Sequence, residues 1–217
     1  MKKKEIIEET KEFVKRNTEG AESGHDWWHI FRVWKLSKHI AGNEDVDIFI
    51  VELGALFHDI ADSKFHEGDE EKGPRIARKF LSSFRIQESI IEHIEKIIKN
   101  ISFKNNIDKT RFKSKELDVI QDADRLDAMG AIGIARAFNY GGYKNREIYN
   151  PEIKPNLYPS KEEYINSNSP TINHFYEKLL LIKEKMNTET GRAMAERRHR
   201  FMEEFLQQFY KDWNIEV

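Results

Sequence analysis

The chain has 217 residues, 36 Lys and Arg against 38 Asp and Glu, 39% hydrophobic and 12% aromatic residues, and no cysteine. That length suits one sizeable core, and the aromatic share argues against disorder. A net charge of -2 leaves no broad basic face for extended nucleic acid, and the missing thiols exclude disulfides and zinc–thiolate sites.

Ile6, Ile7, Phe13 and Val14 predict a first helix to about Arg16. Gly20 to Gly24 reads as a loop, with Ser23 or Asp26 capping a second helix that carries Trp27, Trp28, Phe31, Val33, Trp34, Leu36 and Ile40. Gly42-Asn43 ends it. A third helix is predicted over Val46 to Ile60. It is apolar nearly all round, the signature of a central, buried element. Residues 62–73 read as a polar loop. Pro74 suits the first turn of a helix to about Phe84, and Glu88 to Ile101 follows with isoleucines at helical spacing. Lys104 to Lys115 reads as loop, and Leu117 to Phe138 as one helix.

Residues 139–172 hold Gly141-Gly142 and four of the five prolines, the mark of an irregular loop or lid. Helices over 173–186 and 189–213 close the chain. No strand alternation and no internal repeat is visible. The expected fold is therefore all-α, a single-domain helical bundle with a core at about 20–138 and C-terminal helices at 173–213. No segment approaches the roughly 18 apolar residues of a membrane span. The polar run after Met1 to Lys4 lacks a signal-peptide core, so a cytoplasmic location is expected.

Four polar residues fall where helices should be apolar. His29 shares a stripe with Val33, Leu36 and Ile40. His58 and Asp59 end the most apolar helix. Asp124 shares a stripe with Leu117, Ile120, Ala128 and Ala131. A buried carboxylate must neutralise, pair or bind a cation, and one divalent ion satisfies all four residues together. Their nitrogen and oxygen donors suit Mn, Mg, Fe, Ni or Zn. Each residue also has a plainer reading. His29 fits a hydrogen-bonded core histidine, Asp124 an ion pair with Arg32, and His58 a histidine favoured by the helix dipole.

The order His29, His58-Asp59, Asp124 resembles the H…HD…D signature of the HD superfamily of phosphohydrolases. Gly24 to Val33, Ala55 to Asp62 and Gln121 to Ala128 resemble its motifs. Ile101 to Lys104, Tyr140 to Tyr143 and His174 to Leu180 are similar to a bacterial nucleotide-pyrophosphohydrolase subgroup. The resemblance implies an HD-domain helical bundle with one metal ion between core helices. It further implies hydrolysis of (deoxy)nucleoside triphosphates to monophosphate and pyrophosphate. A 5′-nucleotidase, a nucleotide phosphodiesterase and a catalytically silent nucleotide-binding regulatory module are the alternatives. The partner expected is a small nucleotide, with no extended nucleic acid and no membrane, and the chain acting as a monomer or homodimer.

Within that frame Asp62, three residues past Asp59, is the candidate to orient or deprotonate the attacking water. His25, one turn before His29, is the candidate general acid or phosphate contact. Asp127 is expected to orient a ligand histidine, or to pair with Arg125 or Arg32. Lys64, Lys104 and Lys178 are the phosphate-binding candidates. His93 reads as structural or as a further ligand. Tyr140 or Tyr143 is placed to stack on a base, and the Arg197 to Arg200 cluster reads as a solvated helix face.

Overall fold

In the computed structural model the described residues are 2–20, 26–61, 69, 71–101, 112–157 and 169–215. Among them every regular element is a helix, and no helix is long and apolar enough to cross a membrane. The chain divides into two compact units, residues 1–124 and 125–217.

In the first unit α1 (Lys3–Asn17) buries Ile6, Ile7 and Val14. Asp26 caps α2 (Trp27–Ala41), its carboxylate accepting the His29 N–H at 2.9 Å. This cap fixes the helix start close before His29, the first candidate metal ligand. Asp47 caps α3 (Ile48–Phe57) in the same way, accepting from the Phe49 N–H. Every α3 residue from Phe49 to Phe57 except Glu52 is buried. That helix packs against α1, α2 and α5, as its all-round apolarity predicts. It is shorter than the Val46–Ile60 expected. His58 keeps helical dihedrals, and the chain then tightens, with the Ile60 N–H donating to Phe57 three residues back.

Helix α4 (Lys72–Leu81) pairs with α5 (Glu88–Asn100). Arg78 joins them, binding Glu95 through Nε at 2.7 Å and also reaching Glu88. The Ser114 hydroxyl accepts the Leu117 N–H at the start of α6 (Lys115–Asp127).

The second unit begins inside α6. The expected continuous helix to Phe138 is broken there. Gly130 adopts φ +67, a left-handed conformation that glycine takes without steric cost, and α7 (Gly130–Tyr143) starts anew. Helix α7 runs through Gly141-Gly142, so the irregular segment begins at Lys144 rather than Asn139. Buried Gly141 lies against Thr171 at the start of α8 (Thr171–Glu177). The helix expected over 173–186 ends early because Lys178 leaves helical dihedrals (φ -144, ψ -55). Two 3-10 turns follow, Leu179–Leu181 and Lys183–Lys185. Helix α9 (Glu189–Asn214) packs on α7. Phe205 lies against Phe138 and Phe175, while Phe209, Tyr210 and Trp213 surround Tyr149. Phe205, Phe209 and Tyr210 are half-buried, while Phe201 is 47% and Trp213 49% exposed.

Candidate metal centre

The site in the first unit grows from three helices. Capped α2 presents His29, 2% exposed. The end of α3 presents His58, 6% exposed, followed by half-buried Asp59. Helix α6 presents Asp124. The donor atoms of His29, His58 and Asp59 all lie within 4.8 Å of one another. His29 Nε2 stands 3.3 Å from His58 Nε2, 3.7 Å from Asp59 Oδ2 and 3.5 Å from Asp124 Oδ1.

The tautomer of His58 follows from its other nitrogen. Nδ1 lies 2.7 Å from the Ala55 carbonyl. A carbonyl only accepts, so Nδ1 carries the hydrogen and Nε2 turns a lone pair toward His29. Two ring nitrogens and the Asp59 carboxylate thus converge, with the Asp124 carboxylate approaching the His29 ring from α6. Two ligands each about 2.1 Å from one ion sit roughly 3.0–3.5 Å apart. The spacings from His29 Nε2 to His58 and Asp124 fall in that range and the one to Asp59 is slightly longer, and the mixed nitrogen and oxygen set suits a divalent transition metal or magnesium. The residues fit such an ion.

Asp124 departs from the expectation of a buried carboxylate, for its side chain is 43% exposed. The apolar stripe that includes Leu117 and Ile120 runs out where α6 ends. Ala128 is half-buried and Ala131 is exposed on α7. The deeply buried carboxylates of α6 are Asp122 and Asp127 instead. Asp127 Oδ2 accepts from Arg136 Nη1 at 2.6 Å. Arg136 is not among the partners expected for it, Arg125 and Arg32, and comes within reach because the turn at Gly130 folds α7 back. Arg125 donates to the Lys185 carbonyl at 2.6 Å. Arg32 is half-buried on α2, three residues past His29.

His93 Nε2 lies 3.0 Å from the Ser114 hydroxyl and 3.6 Å from Glu116, with Phe112 edge-on to its ring. That is a structural setting. Lys178 is exposed at the end of α8. His25, Asp62, Lys64 and Lys104 lie outside the described residues. Arg136 escaped the sequence reading because nothing in helical periodicity links residues nine apart across a chain reversal.

Fold and site together define an all-helical protein with a His–His–Asp group suited to a divalent metal. The HD-domain family profile matches residues 27–129. The chain is 35% identical over 216 residues to YpgQ of Bacillus subtilis (strain 168), covering 98% of this chain and 96% of that one. A solved HD-superfamily hydrolase from Bacillus thuringiensis shares 42% identity at TM-score 0.79, covering 98% of this chain and 99% of that one. The structure of Bacillus subtilis YpgQ in complex with ADP shares 34% identity at TM-score 0.75, covering 98% and 97%. The chain belongs to the HD superfamily, among relatives of YpgQ.

Proposed function

We propose that the protein is a metal-dependent nucleotide phosphohydrolase that converts (deoxy)nucleoside triphosphates to monophosphate and pyrophosphate. The observation that carries this reading is the convergence of His29, His58 and Asp59, whose donor atoms lie within 4.8 Å of one another, with Asp124 Oδ1 3.5 Å from His29 Nε2. Membership of the HD superfamily supports hydrolase chemistry, and the ADP complex of YpgQ supports a nucleotide as ligand.

His29, His58, Asp59 and Asp124 would hold one divalent ion, with manganese the first to try among Mn, Mg, Fe, Ni and Zn. Such an ion supplies Lewis-acid polarisation of a phosphoryl oxygen and acidification of a water. The chain supplies the positioning. Ala55 fixes the His58 ring through its carbonyl, Asp26 fixes the start of the helix bearing His29, and partly exposed Asp124 faces the side open to solvent. Asp62 is the proposed base, on its sequence spacing from Asp59, and His25 the proposed acid. Arg32 is the proposed support beside His29, and Lys64 and Lys104 the proposed phosphate contacts.

The test is phosphorus NMR of products from nucleoside mono-, di-, tri- and cyclic phosphates with manganese, using Asp59→Ala as control. Monophosphate plus pyrophosphate from triphosphates, absent in the control, is the expected result. Phosphate released from monophosphates would replace this reading with a nucleotidase. Silence across the panel would leave a binding module.

A further inference from the structure

The Arg197 to Arg200 cluster does not lie wholly on the solvated face expected of it. Arg197 and Arg200 are exposed, but Arg198 is half-buried and turns toward the end of α6. Its Nη1 donates to the Leu126 carbonyl. Its stem lies against Gly130, where an added Cβ would come within 3.2 Å of Arg198 Cγ and 3.3 Å of its Cβ. Burial works against the charge of this guanidinium, and buried Asp127 supports it.

These contacts fall where α6 is weakest. The last four carbonyls of a helix have no partner within it. Here the chain leaves through Gly130 at φ +67, and the Ala128 and Met129 N–H groups donate back to the carbonyls of Arg125 at 3.1 Å and Leu126 at 3.0 Å. Leu126 is wholly buried, so its carbonyl must find its partners inside the protein. Met129 fills one lone pair and Arg198 the other.

Asp124 belongs to that same last turn of α6. His29 and His58 are held by burial, and the His58 ring also by the Ala55 carbonyl. The Asp124 side chain is 43% exposed, so packing around the carboxylate does little to fix it. Its place 3.5 Å from His29 Nε2 depends instead on where the last turn of α6 lies. We infer that Arg198 is a positioning residue for Asp124, fixing that turn and so the place of the carboxylate at the metal centre. The inference rests on the metal reading of that centre.

Manganese titration of the full-length protein, read by the electron paramagnetic resonance of the free ion, tests it in a cycle of Arg198→Met, Asp124→Ala and the double variant. Methionine keeps much of the stem and removes the charge and the donors. Arg198→Met is expected to weaken manganese about ten-fold. In the Asp124→Ala background the same change should cost less than about two-fold, because the ligand through which it acts is already gone. Arg198→Lys keeps the cation but not the planar fork; it should lose part of the affinity, and it carries the cycle if methionine unfolds the protein. Leu206→Ala, a truncation of a core residue on the same helix, should lower the melting temperature while leaving the affinity within about two-fold. Amide hydrogen exchange in the metal-free protein is the second readout, and Arg198→Met should speed it in residues 124–129 more than Leu206→Ala does. Manganese that fails to bind the unsubstituted protein would overturn the metal reading and this inference with it. Undiminished binding in both Arg198 variants, a loss equally large in the Asp124→Ala background, or a loss or an exchange pattern matched by Leu206→Ala would overturn this inference alone.

Discussion

A Cβ on Gly54 would lie 2.7 Å from Ile120 Cδ1 and 3.3 Å from Ile97 Cγ2, so Ile120 on α6 fills the space that Gly54 of α3 leaves. Each of these residues stands one helical turn before a candidate metal ligand. His58 follows Gly54 by four, and Asp124 follows Ile120 by four. The contact lies one turn from both ligand-bearing helix ends. Gly54→Ala is expected to cost about 1–3 kcal/mol through overpacking and to weaken metal binding as well. Adding Ile120→Val removes the colliding Cδ1 and should restore much of both. Urea unfolding and metal titration of the single and double variants check this. An unaltered metal affinity in Gly54→Ala would dissociate the contact from the site.

Metal should stabilise the fold. An ion that binds the native state at 100 times its dissociation constant contributes about 2.7 kcal/mol, so chelation should lower the melting temperature and manganese restore it. His58→Ala should melt at the same temperature with and without manganese. Differential scanning calorimetry makes the comparison.

The Asp127–Arg136 pair is asymmetric. The Asp127 side chain is 2% exposed and that of Arg136 is 31% exposed. Removing the cation takes the 2.6 Å partner from a buried carboxylate that keeps an electrostatic interaction with Arg198, whereas removing the carboxylate leaves an arginine that already reaches solvent. Arg136→Met should therefore cost roughly 3 kcal/mol and Asp127→Asn less. Chemical denaturation of both variants gives the order, and the reverse order would contradict the burial argument.

Acid should weaken the fold through His174. Its proton affinity is held near 4 in the native state against about 6.5 when unfolded. Between these values the unfolded chain binds the extra proton, so stability is full above pH 6.5 and falls as pH drops toward 4. The loss approaches about 3 kcal/mol at most. His174→Gln should flatten this window in urea midpoints compared at pH 7.5 and 5.

The helical fold was legible because apolar spacing of three and four recurs along the chain, and in α3 so densely that its central place followed. Asp26 was legible as a cap. The break before Gly130 was not, since a glycine within a helical pattern reads the same whether its φ is negative or +67. The convergence of His29, His58 and Asp59 could be anticipated, because polar groups on apolar stripes demand a common partner. The exposure of Asp124 could not, because the stripe that seemed to enclose it continues onto a different helix. Arg136 lay outside any pattern of turns within one helix.

The measurement that bears most directly on the central claim is metal content of the purified chain, by elemental analysis after dialysis against manganese, for the unsubstituted protein, His58→Ala and Asp59→Ala. One equivalent per chain in the first and almost none in the variants, at unchanged helicity, is the predicted result. Equal metal in all three, or none in any, would contradict a metal centre built on these residues.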